Sequence, residues 1–384
     1  MSGKRKDSKG RVLRTGESQR KNGSYDYRFV DKNKKTHSIY AKTLDELRRK
    51  EAEIERDRAD GIDFNAGEQT VAELVDKYMD LKRTIEPNSV RAYSSVVNRI
   101  HSDPFGRKQI RNIKKSDAQA WCIKLHDQGL KRNTISVMKT ILQPAFEMAV
   151  DDDAIRKNPF RFKLSELLPD DQQKRTALTK SQQKKYLQFM HDYGNENYYN
   201  DIIILLETGL RVSELYGITF NDIDLQKRCL YVRHQLCRTA EKPFFVCPPK
   251  SSSGIRTIPL SDAAYNAFQE VMAKRPQPKI EMMIDGYSGF LFLDTYGRPK
   301  VAMHLENYMR NMRQKYKLLY RGPFPSVTPH VLRHTFCTNM QQAGLDPKSL
   351  QYVMGHSDLE LTLSLYTHSD YDFVEYSFRK ALSG

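Results

Sequence analysis

Hydrophobic and polar residues alternate with period two across "SYDYRFVDKNKKTHSIYA", residues 24–41. Tyr25, Tyr27 and Phe29 share one face, and His37 and Ile39 follow after a polar turn at Asp31 to Lys35. That pattern predicts a β-hairpin with one buried face. Thr43 then reads as the cap of a helix from Leu44 towards Arg58, with Leu47 and Ile54 on its buried side. "DGIDFNAGEQ", residues 60–69, reads as a linker. From Thr70 the period lengthens to that of helices. "TVAELVDKYMDLKR" has a cap, an acidic first turn and a basic last turn. A second helix starts with Asn88 or Ser89 as cap, and a third runs from Ser116 to a stop at Gly129. A fourth carries Ile135, Met138, Ile141, Leu142 and Phe146 at helical spacing, with a kink expected at Pro144. "IRKNPFRFKLSELLPDDQQKRT", residues 155–176, reads as a second linker. Beyond Leu178 the signals mix. "LTKSQQKKYLQFMHD", "NDIIILLETGL" and "DAAYNAFQEVMAK" are helical, whereas "CLYVRHQL", "PFFVCPP" and "IRTIPL" are strand-like. No internal repeat is visible. The expectation is a multidomain chain: a small α+β region over 1–66, an all-α domain over 67–165, a linker over 166–174 and an α+β domain over 175–384.

Charge sharpens this picture. The 384 residues carry a net charge of +16, which makes polyanions the expected partners. The surplus is uneven: residues 1–50 hold 16 Lys or Arg against 6 Asp or Glu, a net of +10. Residues 1–22, rich in Lys, Arg, Gly and Ser, are expected to be flexible, either as a solvated tail or as an arm that touches DNA. No apolar run approaches the length of a membrane span, and the N-terminus lacks the apolar core of a secretory signal. The five cysteines, Cys122, Cys229, Cys237, Cys247 and Cys337, form no CxxC pair. Reduced thiols are expected, not a disulfide framework or a zinc ribbon.

Several windows could carry chemistry. "TPHVLRHTFCT" places His330 and His334 one helical turn apart. A metal reading lacks the glutamate base that zinc proteases carry, since Val331 holds that position, and lacks a third ligand. A phosphate reading uses His330 and Arg333 as i, i+3 neighbours, because a guanidinium offers two parallel donors to a phosphate. An ordinary helix surface is the third reading. "ETGLRVSELYGI" sets Arg211 just after a glycine break, with Glu214 as its partner or a phosphate as its ligand. "PPKSSSGIRTIPL" sets Lys250 at the tip of two strand-like runs, where it is a solvated turn residue or a side chain that reaches a ligand. "VMGHSDLELTLSLYTHSD" holds Gly355 and His356 at a helix–turn junction. Tyr366, ten residues on, is either a core residue among leucines or a nucleophile whose phenolate is favoured by nearby cations.

Taken together, "TGLRVSEL", "KSSSGIRTIPL", "HVLRHTF", "VMGHSDLELT" and "LYTH" resemble the motifs of tyrosine recombinases of the phage-integrase family, and in particular the integrases of conjugative transposons. Each motif is weak alone. All five in order, over Leu178 to about Ser369, are highly specific, and the helical region from Thr70 and the basic N-terminal sheet match more loosely.

The resemblance implies a mechanism. Tyr366 would attack a scissile DNA phosphate and form a 3′-phosphotyrosyl link. Arg211, His330 and Arg333 would hold the non-bridging oxygens, His356 would add a hydrogen bond, and Lys250 would protonate the departing 5′ oxygen. Glu214 would orient Arg211 or the neighbouring histidine, and His334 would pack nearby or touch phosphate. No cofactor, metal or ATP is implied, because the covalent link conserves the bond energy.

It also implies an architecture. The helical and catalytic domains would clamp duplex DNA at core sites, and the N-terminal domain would bind separate arm sites through effective concentration. Lys4, Arg5, Lys6, Arg28, Lys34 and Lys35 in the first region, and Arg91, Lys131 and Arg132 in the helical one, are the residues expected on DNA. A homotetramer on DNA, Holliday-junction exchange, an accessory excision factor, a cytoplasmic site of action and a C-terminal tail packed on a neighbouring subunit belong to the same expectation. Three alternatives compete: a type IB topoisomerase, a DNA-binding protein with a vestigial site, and a chelator-sensitive metal hydrolase.

Overall fold

A computed structural model describes residues 5–31, 34–82, 87–171, 177–239, 241–249 and 251–356 (backbone only at 87 and 88). The chain divides into two compact units, Met1–Gln173 and Lys174–Gly384.

In the first unit, β1 (Glu17–Gln19), β2 (Tyr25–Val30) and β3 (Thr36–Ala41) form an antiparallel sheet in that order. The expected hairpin is present, with Tyr27 opposite Ile39 and Phe29 opposite His37. α1 (Leu44–Ala59) starts where Thr43 Oγ1 accepts the Glu46 N–H, and it buries Leu44 and Leu47 against Tyr25, Tyr27 and Phe29. Strand β1 was not legible in the sequence, and the segment from Arg5 to Lys21 is ordered, contrary to the flexible tail expected there. Buried carboxylates explain the difference. Asp7 accepts the N–H groups of Lys9 and Arg11, the Arg11 guanidinium and the Tyr25 hydroxyl. Glu17, wholly shielded, pairs with Arg48 at 3.0 Å. Charged residues that look solvated in the sequence thus tie the N-terminal segment to β2 and to α1.

Residues 60–69 also differ from the expected linker. Phe64 packs edge-on against Phe29, the Arg111 guanidinium lies 4.0 Å from its ring centroid, and Asp63 N–H donates to the Asp153 carbonyl.

Four α-helices follow: α2 (Val71–Leu81), α3 (Pro87–Ser102), α4 (Lys115–Asp127) and α5 (Arg132–Asp151). Thr70 and Glu73 form a capping box at the start of α2. α3 begins at Pro87, so Asn88 and Ser89 lie inside its first turn and do not cap it. α4 begins at Lys115, with the Asp117 carboxylate accepting the Lys114 N–H, so Ser116 is likewise inside the helix. α5 runs through Pro144. The core holds Phe105 stacked on Trp121, with Phe146 and Phe160 beside them. The second expected linker contributes to the core: Phe160, Phe162, Leu164 and Leu168 are all buried. Hydrophobics spaced by Lys and Arg read as polar in a window average, yet each apolar side chain turns inward.

The described residues of the second unit pack α-helices around short strands. α6 (Lys180–Tyr193), α7 (Glu196–Thr208) and α8 (Val212–Gly217) precede β4 (Ile223–Asp224), β5 (Cys229–Val232), β6 (Gln235–Cys237), β7 (Phe245–Cys247) and β8 (Arg256–Pro259). Then come α9 (Asp262–Lys274), α10 (Ala302–Leu319), α11 (Pro329–Gln342) and α12 (Pro347–Met354). The run "CLYVRHQL" is two strands: β5 pairs with β4 and β8, and β6 pairs with β7. The break falls at His234, whose Nε2 donates to the Gly217 carbonyl at 2.7 Å. β7 and β8 therefore belong to different sheets, and Lys250, in the connection between them, lies outside the described residues. The Sγ atoms of Cys237 and Cys247 approach to 3.1 Å across β6 and β7.

Candidate active site

Among the described residues of the second unit, the ends of α7 and α12 meet the starts of α8 and α11. α7 stops at Gly209, in the left-handed conformation (φ 64°), where a Cβ would come within 2.3 Å of the Phe336 ring. Two residues later Arg211 starts α8. Its N–H donates to Glu214 Oε2 at 2.9 Å and its Nη1 to Glu214 Oε1 at 2.8 Å. α11 starts at Pro329 behind Thr328, whose Oγ1 accepts the Val331 N–H. It leaves His330 exposed, His334 half-buried and Arg333 turned inward. α12 ends at Gly355 (φ 62°), and His356 is buried directly after it.

The last carbonyls of α12 organise the cluster. Arg256 Nε donates to Val353 O at 2.6 Å, Arg333 Nη2 to Met354 O, and Arg211 Nη2 to Gly355 O at 3.3 Å. Three consecutive carbonyls at a helix C-terminus, which have no partners within the helix, are thus each met by a different arginine. Arg333 Nη1 also donates to Gly209 O at 2.6 Å, tying α11 to the end of α7. Glu214 is the carboxylate shared beneath them, for Arg256 grips it with two bonds, Nη2 to Oε2 at 2.9 Å and Nη1 to Oε1 at 3.2 Å.

The electrostatics favour an anion. Burial pushes the Glu214 carboxyl up, but Arg256, Arg211 and Arg333 outweigh it and hold it at about 2. Burial, then Arg211, push the Arg333 guanidinium down to about 9, so it stays charged at neutral pH in surroundings short of negative charge. Burial, then Arg333 and Arg211, push the His356 imidazole down to about 4, so it is neutral. Among the described residues, three guanidinium groups, one carboxylate and a neutral imidazole leave an excess of two positive charges. An anion with several acceptor oxygens would balance that charge.

The structure thus brings together Arg211, Glu214, Arg333 and His356. His330 stands at the exposed start of α11. Lys250 and Tyr366 lie outside the described residues, as does the C-terminal tail. Among the described residues no group of three or more His, Cys, Asp or Glu is placed to hold a metal ion. Arg256 was missed in the sequence. Its signal was a charged residue on the inward face of a strand, since Arg256 and Ile258 are both buried while Ile255 and Pro259 are exposed.

Of the residues expected on DNA, Arg5, Lys6, Lys34, Lys35, Arg91 and Lys131 are exposed. Arg28 is exposed and lies 3.5 Å from Asp26. Arg132 is half-buried and already engaged, its guanidinium on Asp170 at 3.0 Å. Lys4 lies outside the described residues.

Residues 176–372 match the phage integrase family, and residues 1–58 match the DNA binding domain of Tn916 integrase. The transposase from transposon Tn1545 of Streptococcus agalactiae is 39% identical over 386 residues, covering 97% of this chain and 95% of its own. The chain belongs to the phage integrase family. The transposase from transposon Tn916 of Enterococcus faecalis is equally similar, with the same identity and coverage. Among solved structures, the Tn1549 transposon integrase in complex with a circular intermediate DNA superposes with a TM-score of 0.76 at 37% identity, covering 81% of this chain and 99% of that one. A lambda integrase dimer bound to a core site, at 17% identity and a TM-score of 0.58, shares the fold over 94% of this chain and 97% of its own. This integrase has the expected multidomain tyrosine-recombinase architecture, and its activity is the cutting and rejoining of DNA at specific sites.

Proposed function

We propose that this integrase moves a transposon-like element into and out of DNA by the following chemistry. The Tyr366 phenolic oxygen bonds to the scissile phosphorus, its proton passing to solvent. The 5′ oxygen departs with a proton from Lys250, and the 3′ phosphate stays on the tyrosine. One phosphoester replaces another, so no ATP is consumed. Arg211, Arg333 and His330 bind the non-bridging oxygens, His356 donates a hydrogen bond from its neutral imidazole, and Glu214 orients Arg211. Reversal with a 5′ hydroxyl from a second duplex gives strand exchange through a Holliday junction.

The observation that carries this reading is the excess of positive charge, among the described residues, around Glu214, where Arg211, Arg333 and His356 converge on the end of α12. Preorganised cations cost no reorganisation when charge develops on the phosphate. The same reading places the N-terminal region, residues 1–66, on arm sites, the helical domain, 67–165, with the catalytic domain, 175–384, on core sites, and four copies at a junction. It also holds that an accessory factor assists excision and that the enzyme acts in the cytoplasm on the chromosome.

A covalent-adduct assay tests the central step. The full chain is incubated in EDTA with a nicked duplex carrying the element end and run on a denaturing gel. The expected result is an adduct with the wild-type protein and none with Tyr366→Phe, with equal gel shifts for the two. An adduct that survives Tyr366→Phe, or one abolished by EDTA, overturns the assignment.

A further inference from the structure

The Arg256 side chain is completely shielded from water, whereas that of Arg211 remains about a third exposed. It has no route to a DNA phosphate. Instead its bonds go to groups that set Arg211 and the end of α12 in place. Two of its bonds go to the Glu214 carboxylate, one to Val353 O at the end of α12, and one to Gly254 O in the connection that carries Lys250. Glu214 in turn holds both the backbone and the guanidinium of Arg211. Gly355 rests directly on Arg256, for a Cβ there would come within 3.0 Å of Nη1.

Geometry alone separates the roles. A carboxylate facing two guanidinium groups can rotate towards either. Arg256 fixes its plane by binding both oxygens side-on, which leaves Oε1 aimed at Arg211 Nη1. Lysine at the same position would keep one charge but could offer neither the two-pronged grip nor the bond from Nε to Val353 O.

We infer that Arg256 is a positioning residue for cleavage, one that aims Arg211 through Glu214 and sets the end of α12 on which His356 depends, without itself contacting DNA. This rests on the reading of Arg211 as a phosphate ligand.

The test compares single-turnover adduct formation by the full chain on two nicked duplexes, one with a normal scissile phosphate and one with a methylphosphonate. The second lacks one non-bridging negative charge and so depends less on a well-aimed cation. Arg256→Lys is expected to slow adduct formation on the phosphate by about 10- to 100-fold, the scale of a misplaced catalytic contact. It should bind DNA within about threefold of wild type and recover most of the lost rate on the methylphosphonate. A merely structural lesion would depress both substrates alike, and that outcome overturns the inference. So does a wild-type rate on the phosphate, or a loss of DNA binding, which would place Arg256 in the fold and not in the aiming of Arg211. Arg211→Lys on the same duplexes separates the two readings. If it cleaves the phosphate at the wild-type rate, the phosphate-ligand role of Arg211 falls; if it fails while Arg256→Lys does not, only the positioning role of Arg256 falls.

Discussion

Glu214 is held ionised by its neighbours in a place where burial alone would protonate it. Removing that charge leaves Arg211, Arg256 and Arg333 packed together without a carboxylate. Glu214→Gln is therefore expected to lower stability at pH 7 by about 3 kcal/mol, the scale of breaking a buried pair. The sign in pH follows from the direction of the shift. The folded carboxyl sits near 2, below its ordinary 4.5, so its contribution is complete above 4.5 and is lost as pH falls towards 2. Urea unfolding of both proteins at pH 7 and pH 3 checks this: the gap should narrow at the lower pH. Equal stability at pH 7 would mean that the cluster is solvated enough to dispense with its anion. His356 behaves in a related way. Its folded value near 4 lies below the ordinary 6.5, so between those values the unfolded chain binds a proton that the folded one does not, and stability falls with acidity there.

Among the elements, α12 gains most from its surroundings. It has only eight residues, and its last three orphan carbonyls, on Val353, Met354 and Gly355, are satisfied by three side chains from other elements. The segment after α5 makes the opposite point. Its sequence looks like a charged, proline-containing connection, yet Phe160 is fully buried against Phe105, Trp121 and Phe146. Phe160→Ala is expected to cost about 3–5 kcal/mol, against under about 0.5 kcal/mol for a solvated position. Trp121 is the only tryptophan of the chain and belongs to this core, so its fluorescence during denaturation reports on the helical domain directly. A variant with an unchanged midpoint would return residues 155–168 to the status of a linker.

For the whole molecule, the relevant quantity is the net charge of +16. Affinity built on phosphate contacts depends steeply on salt, because each neutralised phosphate releases counterions. If six to ten phosphates are engaged, binding should weaken by about 10³–10⁵-fold between 50 and 200 mM salt. Fluorescence anisotropy on a duplex carrying the element end measures that slope. Arg91→Ala and Lys131→Ala should each flatten it slightly and weaken all duplexes alike, as expected of phosphate contacts that carry no sequence information. A nearly flat slope would mean that few of the exposed cations meet DNA.

The sequence by itself determined the period of each element, the excess of positive charge and the order of the motifs, because these are properties of neighbours along the chain. The i, i+3 spacing of Arg211 and Glu214 was legible for the same reason. Only the tertiary structure decided which charges are buried together. Arg256 lies 42 residues from Glu214, and Arg211 lies 144 residues from the carbonyl it meets at Gly355, so no local window contains both partners. The same holds for Asp7 and Glu17, which composition assigned to a solvated tail and which folding turned into buried anchors. A charged side chain reads as surface until its partner is known, and the partner of a buried charge is chosen by packing, because only a folded interior makes leaving it unpaired costly.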